Sequence, residues 1–329
     1  MKARAPAVVI GHNIGFRFPD GSELFSGLEF AIRPGCHGLV GAEGSGKSTL
    51  ARIIAGLSTA TAGSITRTIP LDEILYFAPI ADDAGTVADE LGFGAKLDAL
   101  SEIEGGSTES CYFEEIGDDW DFEGRALKGL RNSGLEGLTL ETPLAELSPV
   151  ERLRVRLTRI RLSKAQLLIL DEPAAGLDER AKETLTRYLR GFRGTLIVAS
   201  NDPFLLSKAE NIWELSELGL RRYGGNHEFY RRSRQAEVAA ARDRLAHAVH
   251  ELEHRRDVAQ EAMVRQLHRI EHGKSLADTG IPKVHRGNMK RKSQETLGRI
   301  NGRHDRLVKE AEERVREAQE HERLVQLPD

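Results

Sequence analysis

The chain holds 329 residues, 40% hydrophobic and 30% charged, enough for one large folding unit or two smaller ones. Its 32 glycines and 11 prolines are an ordinary share, so collagen-like and low-complexity classes are excluded. No apolar run nears the roughly 20 residues of a membrane span, the opening MKARAPAVVIGHN has too short an apolar stretch for a signal-peptide core, and two cysteines cannot form a disulfide scaffold, so a cytoplasmic setting is expected. The net charge of −4 divides unevenly. Residues 226–329 carry 22 Lys/Arg against 18 Asp/Glu, a net +4, which leaves −8 for residues 1–225. Such asymmetry points to a nucleic-acid or membrane-surface partner for the basic part.

Residues 1–225 alternate short apolar runs with helical stretches. A β-rich edge is expected near residues 8–35, and CHGLVG (36–41) leads into a helix that begins near Lys47. Residues 81–150 have few β-branched runs and many Gly and acidic residues, which reads as a helical insertion; with the helix that follows, the helical subdomain is set at about 81–160. QLLILDEP (166–173) and TLIVAS (195–200) are continuous apolar runs. Runs of this kind are strands buried on both faces, hence an α/β fold with a parallel sheet covered by helices.

From about His227 to Glu271 there is no Pro or Gly in 45 residues. Val238, Leu245 and Leu252 recur at seven, Val249 lies between them, and Met263, Leu267 and Ile270 follow. A second run from about Asn288 to Val325 places Leu297, Ile300, Leu307, Ala311 and Val315 at mixed threes and fours. Gly273, Gly280, Pro282 and Gly287 fall between the runs. The pattern predicts a long antiparallel helical hairpin over 226–329, its first helix roughly 68 Å long at 1.5 Å per residue. The basic residues Lys283, Arg286, Lys290, Arg291 and Lys292 cluster near its tip, as a phosphate-backbone contact would require; a solvated charged face is the alternative. The tip has no aromatic residues for base stacking. His247, His250 and His254, and again His268 and His272, share helix faces at metal-binding spacing. With no companion acid or thiol to complete a set, a polar coiled-coil face is the reading preferred.

GAEGSGKST (41–49) fits G-x-x-x-x-G-K-[ST] in full: Gly41, Ala42, Glu43, Gly44, Ser45, Gly46, Lys47, Ser48 and Thr49. Glycines let the backbone bend until its N–H groups face phosphate oxygens. Lys47 is expected to reach the β- and γ-phosphates of ATP and Ser48 to ligate Mg²⁺. QLLILDE sets Asp171 at the end of a buried strand, where P-loop proteins hold Mg²⁺ through a water or directly. Glu172 follows, placed to orient or deprotonate the attacking water.

LDEPAAGLD (170–178) resembles the Walker B strand and D-loop, ending in Asp178, of ATP-binding cassette proteins. ELSPVERLRVRLTRIRL (146–162) stands where that superfamily carries its signature and following helix, and IVASND (197–202) where it carries the switch histidine. Phe18 in FRFPDG matches the aromatic that stacks on adenine, with Phe16 as the fallback. Within the superfamily the chain is similar to the first half of an ABC-F protein: DDWDFEGRALKGLRNSGL (118–135) resembles the stretch before the signature, LRRYGGNHEFYRRSRQAE (220–237) the Tyr-x-Gly-Asn-Tyr element before the linker, and 226–329 the linker.

The resemblance implies a P-loop ATP-binding cassette over 1–225 with ATP and Mg²⁺ as cofactors, and an arm over 226–329 that reaches the ribosome, making rRNA the partner. It also implies a second cassette, in cis, in trans or by homodimerisation, because such cassettes hydrolyse ATP only as a face-to-face pair. The departures predict weak or partner-dependent hydrolysis. The signature reads Leu147-Ser148-Pro149-Val150-Glu151, leaving Ser148 and Glu151 but neither glycine. Pro149 has no N–H to give, and Val150 brings a branched side chain toward the approach. Ile80 replaces the Q-loop glutamine, and the switch position is Asn201, which takes no proton at neutral pH. A transporter ATPase subunit and a catalytically degenerate ATP-binding scaffold are the competing expectations.

Overall fold

The computed structural model describes residues 6–79, 84–277 and 283–326, with side chains described outside 273–297 and residue 300. In chain order the elements are β1 (Val9–Arg17), β2 (Glu23–Ile32), β3 (Cys36–Val40), α1 (Lys47–Ala55), β4 (Ala62–Arg67), β5 (Ile74–Phe77), α2 (Val87–Leu91), α3 (Gly94–Glu104), α4 (Ser110–Ile116), α5 (Phe122–Asn132), α6 (Pro149–Leu162), β6 (Leu167–Asp171), α7 (Glu179–Gly191), β7 (Thr195–Ala199), α8 (Pro203–Leu206), β8 (Asn211–Ser216), β9 (Gly219–Gly224), α9 (His227–Ala277) and α10 (Lys283–Val325). The chain divides into compact units Met1–Tyr230 and Arg231–Asp329.

The first unit is built on two sheets. β2-β1-β4 is antiparallel, and β5-β6-β7-β3-β8-β9 is parallel except for its edge strand β9, which runs antiparallel to β8. The parallel sheet expected from the apolar runs is present, and β9 adds an antiparallel edge to it. A two-residue turn (Glu217–Leu218) joins β8 to β9, and a connection that short can only pair neighbours antiparallel.

The central strands owe their unbroken apolar runs to cover on both faces. Along β6, Leu167 and Ile169 point into the core shared with Leu50, Ile53 and Ile54 of α1 and with the antiparallel sheet. Leu168 and Leu170 point the other way, among Leu153, Leu157 and Ile160 of α6 and Leu185 of α7. In β7, Leu196 and Val198 face α6 and α7, while Ile197 and Ala199 face α1. The period of two sorts one continuous run onto two cores. The segment after β5 carries the short helices α2 to α5, and a third cluster packs Val87, Ala88 and Leu91 of α2 against Ala126 and Leu130 of α5 and Val155 of α6.

The second unit pairs α9 with α10 in antiparallel register. Arg234 donates to the Val325 carbonyl at 3.0 Å, Arg314 to Glu251 at 3.1 Å, and Arg255 to the Leu307 carbonyl at 3.0 Å. Ala241, Leu252, Ala311 and Val325 are its buried apolar residues among those described. The seam inferred from sevens holds through Leu252. Beyond it Met263 and Leu267 are 49% and 50% exposed, while Ala262, Gln266 and Ile270 turn partly inward. An α-helix advances 3.6 residues per turn, so a strict repeat of seven drifts off its partner without supercoiling. Lys283, Arg286, Lys290, Arg291 and Lys292 lie on α10, outside the residues whose side chains are described, and Ile80 lies outside the described residues altogether.

Candidate nucleotide site

The glycine-rich loop connects the end of β3 to the start of α1 at the C-terminal edge of the parallel sheet. Glycine is enforced at both of its ends. A Cβ on Gly41 would stand 2.4 Å from the Leu215 carbonyl oxygen of β8, and Gly46, at φ 97°, turns the chain into α1 in the left-handed region. Lys47 is buried and its Nζ donates to the carbonyls of Gly41 (2.9 Å) and Ala42 (3.0 Å). Glu43, Gly44 and Ser48 face solvent, Ala42 and Thr49 are half-buried, and Ser45 Oγ is buried with no hydrogen-bond partner.

Asp171 ends β6 and Glu172 follows directly. Asp171 is 1% exposed; its Oδ2 accepts from the Tyr76 hydroxyl at 2.9 Å, and its Oδ1 is buried with no hydrogen-bond partner. A buried anionic oxygen of this kind fits a divalent cation, and Asp171 with Ser48 would hold it. Glu172 adopts φ 42°, the left-handed region that a non-glycine residue enters at a cost of about 1 kcal/mol or more. Its N–H still donates to the Ala199 carbonyl at 2.8 Å, so the kink turns the side chain while the strand pairing continues. Its Oε2 accepts from Ser200 Oγ at 3.0 Å. Burial pushes the Glu172 carboxyl above its ordinary value, against the pull of the Ser200 hydrogen bond and the nearby Lys47. Burial and the adjacent Asp171 push the Tyr76 hydroxyl up strongly, which keeps it a donor.

Asn201 meets the loop directly: its Nδ2 donates to the Gly41 carbonyl at 2.9 Å and its Oδ1 accepts from the Gly41 N–H at 3.3 Å. Asp178 caps α7, accepting from the Ala181 N–H at 2.8 Å. Phe18 lies just past β1, 43% exposed, with Phe16 edge-on at 5.5 Å. Its open face is what stacking on a base requires.

At the signature position Ser148 caps α6 and Pro149 occupies the first turn. Ser148 Oγ donates to Glu151 Oε2 at 2.7 Å, and Glu151 Oε2 also accepts from the Ser148 N–H at 2.9 Å. These bonds hold the Glu151 carboxyl below its ordinary value. The Ser148 hydroxyl is thus committed within its own capping box. The branched Val150 is half-buried and packs on the core with α6 and α7, so the obstacle to a phosphate at this helix start is Pro149 and the Glu151 carboxylate more than Val150. Among the described residues no group of three or more His, Cys, Asp or Glu could hold a metal ion.

Sequence motifs do not single out Tyr76 and Ser200, because each bears on the site through a neighbour. The parallel register pairs Tyr76 with Ile169, two residues from Asp171 on the same face, and Ser200 directly precedes Asn201.

A phosphate loop between a buried strand and a helix, with two acids at the end of the next strand but one in the sheet, defines a P-loop nucleotide-binding domain. Residues 25–175 match the family described as ABC transporter. The tylosin resistance ATP-binding protein TlrC of Streptomyces fradiae is 30% identical over 254 residues, 69% of this chain and 45% of that protein. The energy-dependent translational throttle protein EttA of Mycobacterium tuberculosis is 31% identical over 227 residues, 63% of this chain and 40% of that protein. A Streptomyces coelicolor protein described as an ABC transporter ATP-binding protein is 32% identical over 219 residues, 60% of this chain and 70% of that protein. The chain therefore belongs to the ATP-binding cassette family, whose domains in general bind and hydrolyse ATP. It spans less than half the length of TlrC and of EttA. No helix among the described residues is long and apolar enough to cross a membrane.

Proposed function

We propose that the chain is an ABC-F-type protein: a nucleotide-controlled, cytoplasmic, ribosome-associated factor whose cassette binds ATP with Mg²⁺ and hydrolyses it weakly or only with a partner cassette. The observation that carries this reading is an arm of two paired helices, α9 and α10, following directly on an ATP-binding cassette. Similarity to a translational throttle protein over 63% of the chain supports the ribosome as the partner. The basic run Lys283, Arg286, Lys290, Arg291 and Lys292 in α10 supports contact with RNA phosphates.

In this reading the loop N–H groups and Lys47 bind the β- and γ-phosphates, and Phe18 stacks on the base. Glu172, poised by burial and held by Ser200, orients the water. The cation, when bound, draws charge from the phosphates. Closure over a partner's nucleotide is weakened because Pro149 brings no N–H to the start of α6 and Glu151 brings a carboxylate there.

Sedimentation with ribosomes tests the proposal. The Glu172→Gln variant should pellet with ribosomes in ATP more than in ADP, and reversal of Arg286, Lys290 and Lys292 to Glu should abolish pelleting. Pelleting unchanged by the reversal and by the nucleotide would overturn it. Co-purification with a membrane protein instead would favour a transporter subunit, and ATP binding without turnover even beside a partner cassette would favour a scaffold.

A further inference from the structure

Tyr76 is a residue that the cassette motifs do not account for. It stands in β5, which pairs in parallel with β6, Tyr76 opposite Ile169. It packs with the same core as Ile169, on the face where Asp171 follows. The hydroxyl donates to Asp171 Oδ2 at 2.9 Å, while Oδ1, equally buried, has no hydrogen-bond partner. The two oxygens of one carboxylate are therefore unequal: one is held and the other is left for a cation. Buried polar atoms are almost always paired in folded proteins, so Oδ1 has a standing demand for a positive partner.

We propose that Tyr76 is a positioning residue that favours Mg²⁺ over larger divalent cations by keeping Asp171 Oδ2 engaged, so that a cation meets the carboxylate through Oδ1 alone. The proposal rests on the reading of Asp171 as a cation ligand. Mg²⁺ demands near-octahedral geometry and keeps several waters, so one oxygen from a carboxylate suits it. Ca²⁺ takes six to eight oxygens and commonly grips a carboxylate by both. The phenolic hydroxyl on Oδ2 competes with that second grip and fixes the plane of the carboxylate. Hydrogen-bond partners standing behind a ligand in this way typically change metal affinity 10–100-fold.

Tyr76→Phe keeps the ring in the core and removes only the hydroxyl. The full chain, saturated with a non-hydrolysable ATP analogue, is titrated calorimetrically with Mg²⁺ and separately with Ca²⁺, beside Asp171→Asn, with thermal melts to establish that each variant is folded. Tyr76→Phe is expected to weaken Mg²⁺ about 10-fold with little change for Ca²⁺, compressing the preference by the same factor. An unchanged preference, or equal losses for both cations, while Asp171→Asn weakens both, overturns the role of Tyr76 and leaves Asp171 a ligand. Cation affinities unaltered in Asp171→Asn overturn the ligand reading and the proposal with it.

Discussion

Asn201 clamps Gly41 with both ends of its side-chain amide, donating to the glycine carbonyl at 2.9 Å and accepting from its N–H at 3.3 Å. The amide matches a backbone unit because its donor and acceptor share one planar edge. An imidazole places its two nitrogens apart and cannot satisfy both atoms of one residue. The Gly41 carbonyl also accepts from Lys47, so the asparagine braces the point where the loop departs from β3. Asn201→Ala is expected to weaken ATP binding about 3–10-fold, at the lower end of the worth of two hydrogen bonds because the residue is exposed. Asn201→Asp should lose more, since it removes the donor and adds a negative charge beside the phosphate loop. Titration with a fluorescent ATP analogue measures both. Wild-type affinity in Asn201→Ala would mean that the clamp does not shape the loop.

The start of α6 invites the converse change. Pro149→Gly with Val150→Gly restores a backbone N–H at the helix start, so turnover should rise several-fold wherever this signature faces a partner's ATP. Stability should fall, because proline is favoured in a first helical turn and Val150 packs on the core; a loss of about 1–3 kcal/mol is expected from a glycine in the helix and a truncated side chain. ATPase rates measured against protein concentration, with a denaturant melt on the same preparation, separate the two effects. Lower stability with unchanged turnover would place the impairment elsewhere.

The phosphate loop and the two acids of β6 were legible because their chemistry depends on fixed spacing along the chain: glycines where Gly41 and Gly46 must bend or approach closely, and Asp171 and Glu172 where a buried strand ends. The helical hairpin was legible from its freedom from Gly and Pro over 45 residues. What the sequence hides are contacts made across strands and within caps. Tyr76 reaches Asp171 from residue 95 positions away, through a parallel register that no local pattern encodes. Ser148 could be placed at the signature, but its engagement with Glu151 is a matter of local geometry. The inward turn of Ala262 and Gln266 in place of Met263 and Leu267 depends on how α10 lies against α9.

On the catalytic role proposed for Glu172, stability and catalysis pull in opposite directions at this residue. Its carboxyl is raised above the ordinary value of 4.5, chiefly by burial. The fold therefore favours the protonated form: relative to the unfolded chain this contribution is full below pH 4.5 and is lost as pH rises through the folded-state value. Glu172→Gln never charges and keeps an oxygen for Ser200 Oγ. It should melt higher than wild type near neutral pH, and the difference should vanish as pH falls below the ordinary carboxylate range. Turnover should be lost while ATP binding persists. Parallel melts from pH 4 to pH 8 check the sign. A difference independent of pH would exclude the carboxylate charge as its cause.

Arg234 offers a test of the arm on its own terms. It is 2% exposed, donates to the Val325 carbonyl at 3.0 Å, and approaches Glu237 at 3.2 Å. Its bond to Val325 satisfies one of the last carbonyls of α10, which have no partner within the helix, and ties the C-terminal end of α10 to the N-terminal part of α9. Arg234→Ala should loosen that end by about 2–3 kcal/mol, the worth of a buried charge-assisted hydrogen bond together with the packing of the stem. Arg234→Lys keeps the charge but not the planar fork, and should recover only part of it. Amide hydrogen exchange in the full chain reads the effect locally. Faster exchange should be confined to the C-terminal turns of α10 and the facing part of α9, leaving β6 and β7 protected. Exchange at the end of α10 unchanged in Arg234→Ala would show that the apolar contacts of Ala241, Ala311 and Val325 hold the pair without it.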